Sequence, residues 1–93
     1  AQLADRWQQE AGDDPEAPYL LGVAFEGLHQ PEPSIRAFQR SVEIDPTYNR
    51  SWARLAHVYK RQGQLRESRN AVARLAALDP KQARELAAEL EKP

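Results

Sequence analysis

Residues 49–82 read NRSWARLAHVYKRQGQLRESRNAVARLAALDPKQ, and residues 15–48 read PEAPYLLGVAFEGLHQPEPSIRAFQRSVEIDPTY. Laid over each other without a gap, the two stretches agree at a shift of 34 residues. Leu21 falls on Leu55, Phe25 on Tyr59, Ser34 on Ser68 and Ala37 on Ala71. Phe38 falls on Val72 and Arg40 on Arg74, while Ile44, Asp45 and Pro46 fall on Leu78, Asp79 and Pro80. A period of this size marks a chain built from stacked copies of one supersecondary unit.

Each unit reads as two helices. In the second, Trp52, Leu55 and Tyr59 follow helical spacing and give one apolar stripe, with Trp52 expected in the core between helices. Gly63 breaks that pattern and suits the left-handed residue that closes a helix. A second helix carries Leu65, Val72, Leu75 and Leu78 through an alanine- and arginine-rich background of high helix propensity. Asp79 and Pro80 then supply an N-cap and a first-turn proline. The first unit repeats the scheme. Leu20, Leu21, Ala24, Phe25 and Leu28 belong to its first helix, and Ile35, Phe38, Val42 and Ile44 to its second. Asp45 and Pro46 are expected to start the next helix. His29 stands where Gly63 stands one unit later. Histidine is among the residues enriched at positive φ, so the turn is expected to survive with some strain.

These residues resemble the tetratricopeptide repeat, whose pattern is W-x2-L-G-x2-Y, then A-x3-F, then P. The second unit has Trp52, Leu55, Ala56 and Tyr59, then Ser68 and Val72, then Pro80. The first has Pro18, Leu21, Gly22 and Phe25, then Ser34 and Phe38, then Pro46. Pro18 in place of the tryptophan is tolerable only in a first helical turn. The RNA-binding pentatricopeptide relatives have a longer period, which the spacing here does not fit. The resemblance implies an all-α fold, antiparallel helix–turn–helix repeats in a short right-handed superhelix of six helices. Residues 1–14 are expected to be a partial repeat, with Leu3 and Trp7 on one face of a helix closed by Gly12. Residues 15–48 and 49–82 are the two repeats, and 83–93 a capping helix whose exposed face is kept wet by Glu85, Glu89 and Glu91.

Composition narrows the function classes. The 93 residues carry 13 basic and 14 acidic side chains, no cysteine and no methionine. Disulfides, thiolate zinc sites and thiol catalysis are thereby removed. The longest stretch free of charge and strong polarity, Ala17 to Phe25, is nine residues and holds a proline and a glycine. A spanning helix needs about 20 apolar residues, so no membrane span is expected and the cytoplasm is the expected compartment. The arginine- and alanine-rich usage suits a bacterial source. Neither the histidine-glutamate spacing of a metalloprotease nor a phosphate-cradling glycine loop occurs. The chain is therefore expected to be no enzyme and to need no cofactor or metal. Asp13 and Asp14 read as helix-start residues, and Ser34 and Ser68 as small residues at helix-packing positions.

The near-neutral total of −1 hides an asymmetry: residues 15–48 are net −3, and residues 49–82 are net +6. Such a balance bears on association rather than fold. Arg50, Arg54, His57 and Arg61 are spaced at i, i+4, i+7 and i+11, one continuous helix face apart from the Trp52 stripe. Lys60 flanks that face, and Arg84 extends it. The corresponding first-unit residues are Glu16, Leu20, Val23 and Gly27, with Tyr19 beside them. In the family the first helix of each unit lines a concave surface that holds a peptide or partner helix. The resemblance therefore implies a peptide-binding face of Tyr19, Leu20, Val23, Arg50, Arg54, His57, Arg61 and Arg84. The partner would be a protein or peptide segment with an apolar anchor and acidic character, because arginine forks pair well with carboxylates. A solvated arginine face is the plainer alternative, and packing against the N-terminal helix the plainer role for Tyr19, Leu20 and Val23. Some co-chaperone members clamp acidic chaperone tails with lysines and asparagines. Tyr19, Leu20 and Val23 do not supply them, so that activity is not expected. Nucleic acid is disfavoured by the acidic first half. A homo-oligomer, built by docking the acidic half of one copy on the basic half of another, is the structural alternative.

Overall fold

A computed structural model describes residues 14–91, which form five helices: α1 (Glu16–Gly27), α2 (Pro31–Ile44), α3 (Asn49–Arg61), α4 (Leu65–Leu78) and α5 (Pro80–Glu91). The helix expected over residues 1–11, with Leu3 and Trp7, lies outside the described residues. No strand occurs among the described residues. α1 pairs with α2 and α3 with α4 as hairpins, α2 leans on α3, and α5 lies on α4.

The hairpin turns are built alike. The N–H groups of His29 and Gln30 donate to the carbonyls of Glu26 and Phe25 at 3.0 and 2.9 Å. Gly63 and Gln64 donate to Lys60 and Tyr59 at the same two distances. This double hydrogen bond closes a helix only if its first donor residue is left-handed, and φ is +60° at His29 and +75° at Gly63. Glycine adopts that conformation freely, whereas histidine carries a steric cost there. Pro31 and Pro33 then sit in the first turn of α2, and Pro18 in the first turn of α1, where no intrahelical donor is lost.

The hairpins are held shut by the same pair of contacts. Ser34 Oγ donates to the carbonyl of Gly22 at 3.1 Å, and 34 residues later Ser68 Oγ donates to that of Ala56 at 2.9 Å. Ser34 is fully buried and Ser68 nearly so, so these hydroxyls add a satisfied bond to the small-residue packing expected of them. At Gly22 a Cβ would lie 2.6 Å from the ring of Phe38. The second unit has alanine at 56 and a smaller valine at 72. The two units thus fill the same space by exchanging bulk across the hairpin.

The core is Phe38 and Val42 of α2, Leu55, Ala56 and Val58 of α3, Ala71 and Leu75 of α4, and Ala83 and Leu86 of α5. Trp52 is partly buried against it and donates its indole N–H to the Pro46 carbonyl at 2.8 Å. Buried Ser51 and Ser41 bond to each other, and Ser41 Oγ donates to the Pro15 carbonyl at 2.8 Å, tying the start of α1 to α2 and α3. Leu65 and Leu78, both carried by α4 as expected, are 45% and 39% exposed. Leu55 is 1% exposed and its counterpart Leu21 is 52% exposed. The difference arises because α2 walls Leu55, while among the described residues nothing lies on the corresponding side of α1. Leu28 falls past the end of α1 and is exposed.

The repeated Asp-Pro step has two outcomes. Asp79 caps α5 as expected, its Oδ1 accepting from the N–H of Gln82 at 3.1 Å. Asp45 does not start α3, which begins at Asn49. Its Oδ1 instead accepts from both the N–H and the hydroxyl of Thr47, at 3.0 and 2.6 Å, a local turn that competes with helix initiation. The position equivalent to Thr47 is Lys81, which has no hydroxyl.

Candidate functional site

The three helices that open a hairpin or follow one, α1, α3 and α5, are neighbours on one side, with α3 touching both others. Side chains cross between them. Asn49 Nδ2 donates to Gln82 Oε1 at 3.0 Å, bridging α3 and α5. His57 Nε2 lies 3.9 Å from Glu89 Oε1 of α5. Arg61 Nη1 donates to Glu26 Oε2 of α1 at 3.2 Å, and Arg54 Nη1 lies 3.7 Å from the same oxygen.

Glu26 is the centre of this side. Its side chain is only 11% exposed, against 44% for Arg54 and 65% for Arg61. One oxygen meets both guanidiniums; the other, Oε1, is buried with no hydrogen-bond partner among the described residues. Val23, Glu26, Gly27, Arg54 and Arg61 surround an open hollow of about 280 Å³. Gly27 lines this hollow, and nothing would meet a Cβ there within 4 Å. Each guanidinium offers five N–H donors, and most of those on Arg54 and Arg61 remain available to solvent or a ligand.

The residues expected to bind a partner are therefore placed unequally. Val23, Arg54 and Arg61 come together around the hollow. His57 is held toward α5. Leu20 is 55% exposed. Arg50 and Arg84 are exposed and make no ion pair among the described residues. Tyr19 turns to α2 and the following loop: its ring centroid is 5.9 Å from that of Phe38, tilted, and 5.6 Å from that of Tyr48, edge to face, both favourable aromatic arrangements. It braces the hairpin. Glu26 was not singled out from the sequence, although a signal existed. The 34-residue shift places it on Lys60, the residue flanking the arginine face, so the first unit offers an acid beside a face whose neighbour is basic.

A second recess, about 460 Å³, opens on the side of α2 and α4 over Val42, Trp52, Leu55 and Tyr59, with Glu43 and Arg74 at its rim. No group of three or more metal-ligating side chains occurs among the described residues, and no helix among them is long and apolar enough to cross a membrane.

Residues 50–82 match the family model described as tetratricopeptide repeat. The chain matches no curated protein. Tetratricopeptide repeats generally mediate protein–protein interaction and are typically non-enzymatic scaffolds. Hairpins, shared turn geometry and family match agree: residues 50–82 form a tetratricopeptide repeat within an all-α, TPR-like helical-repeat fold.

Proposed function

We propose that the side formed by α1, α3 and α5 is a groove that docks an extended or helical protein segment of acidic character. The observation that carries this reading is the convergence of Arg54 and Arg61 on a single carboxylate oxygen, beside an open hollow with Val23 at its wall. The arrangement pairs a cationic seat with an apolar contact, which suits a segment that sets a carboxylate next to an aliphatic anchor. Leu20, Arg50, His57 and Arg84 extend the same surface, and Tyr19 supports it from behind. The residue boundaries of the two repeats, 15–48 and 49–82, follow from the same period.

The test is a titration with a short fluorescein-labelled peptide in which a leucine is flanked by glutamates, beside a lysine-flanked counterpart. The acidic peptide should bind, more weakly as salt rises. The charge reversal Arg54→Glu should abolish most of that affinity with helicity unchanged. Equal binding of both peptides, or binding indifferent to the reversal, would remove the groove assignment.

Self-association is favoured by a different observation. Leu20, Leu21 and Leu28 are exposed at the α1 end. At the other end, Leu65, Val72 and Leu90 line a recess of about 270 Å³ with Lys60 and Arg69 at its edge. Sedimentation at low salt distinguishes the two: a monomer at high concentration ends the oligomer reading.

A further inference from the structure

We infer that Glu26 is a resident stand-in for the partner's carboxylate, occupying the Arg54–Arg61 seat until an acidic segment displaces it. The inference rests on the groove reading above and adds what controls entry to it. Three features carry it. First, the two arginines reach across the boundary between repeats to meet one oxygen of Glu26, at 3.7 and 3.2 Å, so the seat is already shaped to a carboxylate. Second, the fit is incomplete. Glu26 presents a single oxygen, and its Oε1 is buried without a donor among the described residues. A carboxylate that approaches a guanidinium in parallel, with both oxygens engaged, is bound more strongly than one held by a single oxygen, and a buried acceptor left unpaired is costly. Third, the exchange has room. The hollow of about 280 Å³ borders Glu26, Arg54 and Arg61 together, and a second hollow of about 230 Å³ is lined by Glu26 with His29, Pro31, Arg61 and Gln62, away from Arg54. A displaced Glu26 side chain has somewhere to go without unfolding α1.

The consequence is a threshold. Weakly acidic segments do not repay the loss of the Glu26 contacts; a segment with a carboxylate placed for parallel engagement does. Glu26 thus opposes indiscriminate capture of anions by a repeat whose net charge is +6.

The experiment titrates the leucine–glutamate peptide into the native protein, Glu26→Gln and Glu43→Gln. Glu43 lies at the rim of the recess on the other side, so its variant removes one charge without touching the seat. Glu26→Gln should bind the peptide roughly three- to fivefold more tightly, the scale of one partly exposed ion pair, and Glu43→Gln should bind as the native protein does. Unchanged or weakened affinity in Glu26→Gln would overturn the inference, the second result making Glu26 a brace for the arginines. Equal tightening in both variants would overturn it as well, reducing the effect to net charge. In either case peptide binding itself leaves the groove reading standing; a peptide that binds none of the three proteins ends both. A measurement on the native chain covers the case of a misfolded variant. The carbon-13 resonance of the Glu26 carboxylate should shift on saturation with peptide, and an unmoved resonance at full occupancy would contradict displacement.

Discussion

At the residue scale, the two units test each other, because each position in one has a counterpart in a slightly different setting. His29 and Gly63 share a left-handed turn, and only glycine is at ease there. His29→Gly should therefore raise stability by about 1 kcal/mol, and Gly63→Val should lower it by about 1 kcal/mol or more. No atom lies within 4 Å of a Cβ at Gly63, so the second effect would be purely one of backbone conformation. Urea denaturation midpoints measure both. An unshifted midpoint in either variant would contradict the closing role of that turn. Gly22 and Phe38 give a sharper case. Gly22→Ala forces a methyl into the ring of Phe38 and should cost about 1–3 kcal/mol. Combining it with Phe38→Val recreates the Ala56 and Val72 pair of the second unit. The double variant should be more stable than the sum of the singles by about 1 kcal/mol or more, whereas independent sites add within about 0.5 kcal/mol. The left-handed turn at His29 was legible from the period alone. The exchange of bulk was not, since a substitution of alanine for glycine reads as conservative until the facing ring is seen.

At the scale of the element, identical dipeptides precede different helix starts, and the two aspartates differ in what they bond. Asp45 bonds Thr47 and α3 begins only at Asn49; Asp79 bonds Gln82 and α5 begins at Pro80. Sequence reasoning weighs the capping aspartate and proline, and it overlooks a threonine two residues on. The hydroxyl and then the N–H of Thr47 hold the Asp45 carboxyl below its ordinary value of 3.8. A carboxyl depressed in the folded state stabilises the fold above its unfolded value, and that contribution fades as pH falls through the folded value. Thr47→Val removes the stronger of the two bonds. Its melting temperature should fall less than that of the native protein as pH drops from 5 toward 2. Parallel acid profiles would show that the turn has no part in acid sensitivity. Leu20 and Leu21 of α1 are exposed for a different reason. Periodicity marks which face is apolar, and burial needs a neighbour on that face; among the described residues α1 has none opposite Leu21.

For the whole molecule, the period decides both the stacking and where the charges meet. Fold class and hairpin order were legible because a 34-residue shift aligns apolar residues, turns and Asp-Pro steps together. The arginine face was legible as a helical spacing. Its partner within the chain was not, because Glu26 stands 28 and 35 residues from Arg54 and Arg61, and only stacked hairpins bring them within 4 Å. Charge arithmetic therefore treated as free two arginines that the fold already engages. The central claim is that the side holding this trio receives a partner. It is tested most directly by following the backbone amide resonances during titration with the leucine–glutamate peptide. The shifts should concentrate on Val23, Gly27, Arg54 and Arg61, with the Trp52 and Arg74 amides unmoved. Shifts gathered instead over the recess between α2 and α4, with Val23 and Arg61 silent, would place the binding surface on the other side of the molecule and contradict it.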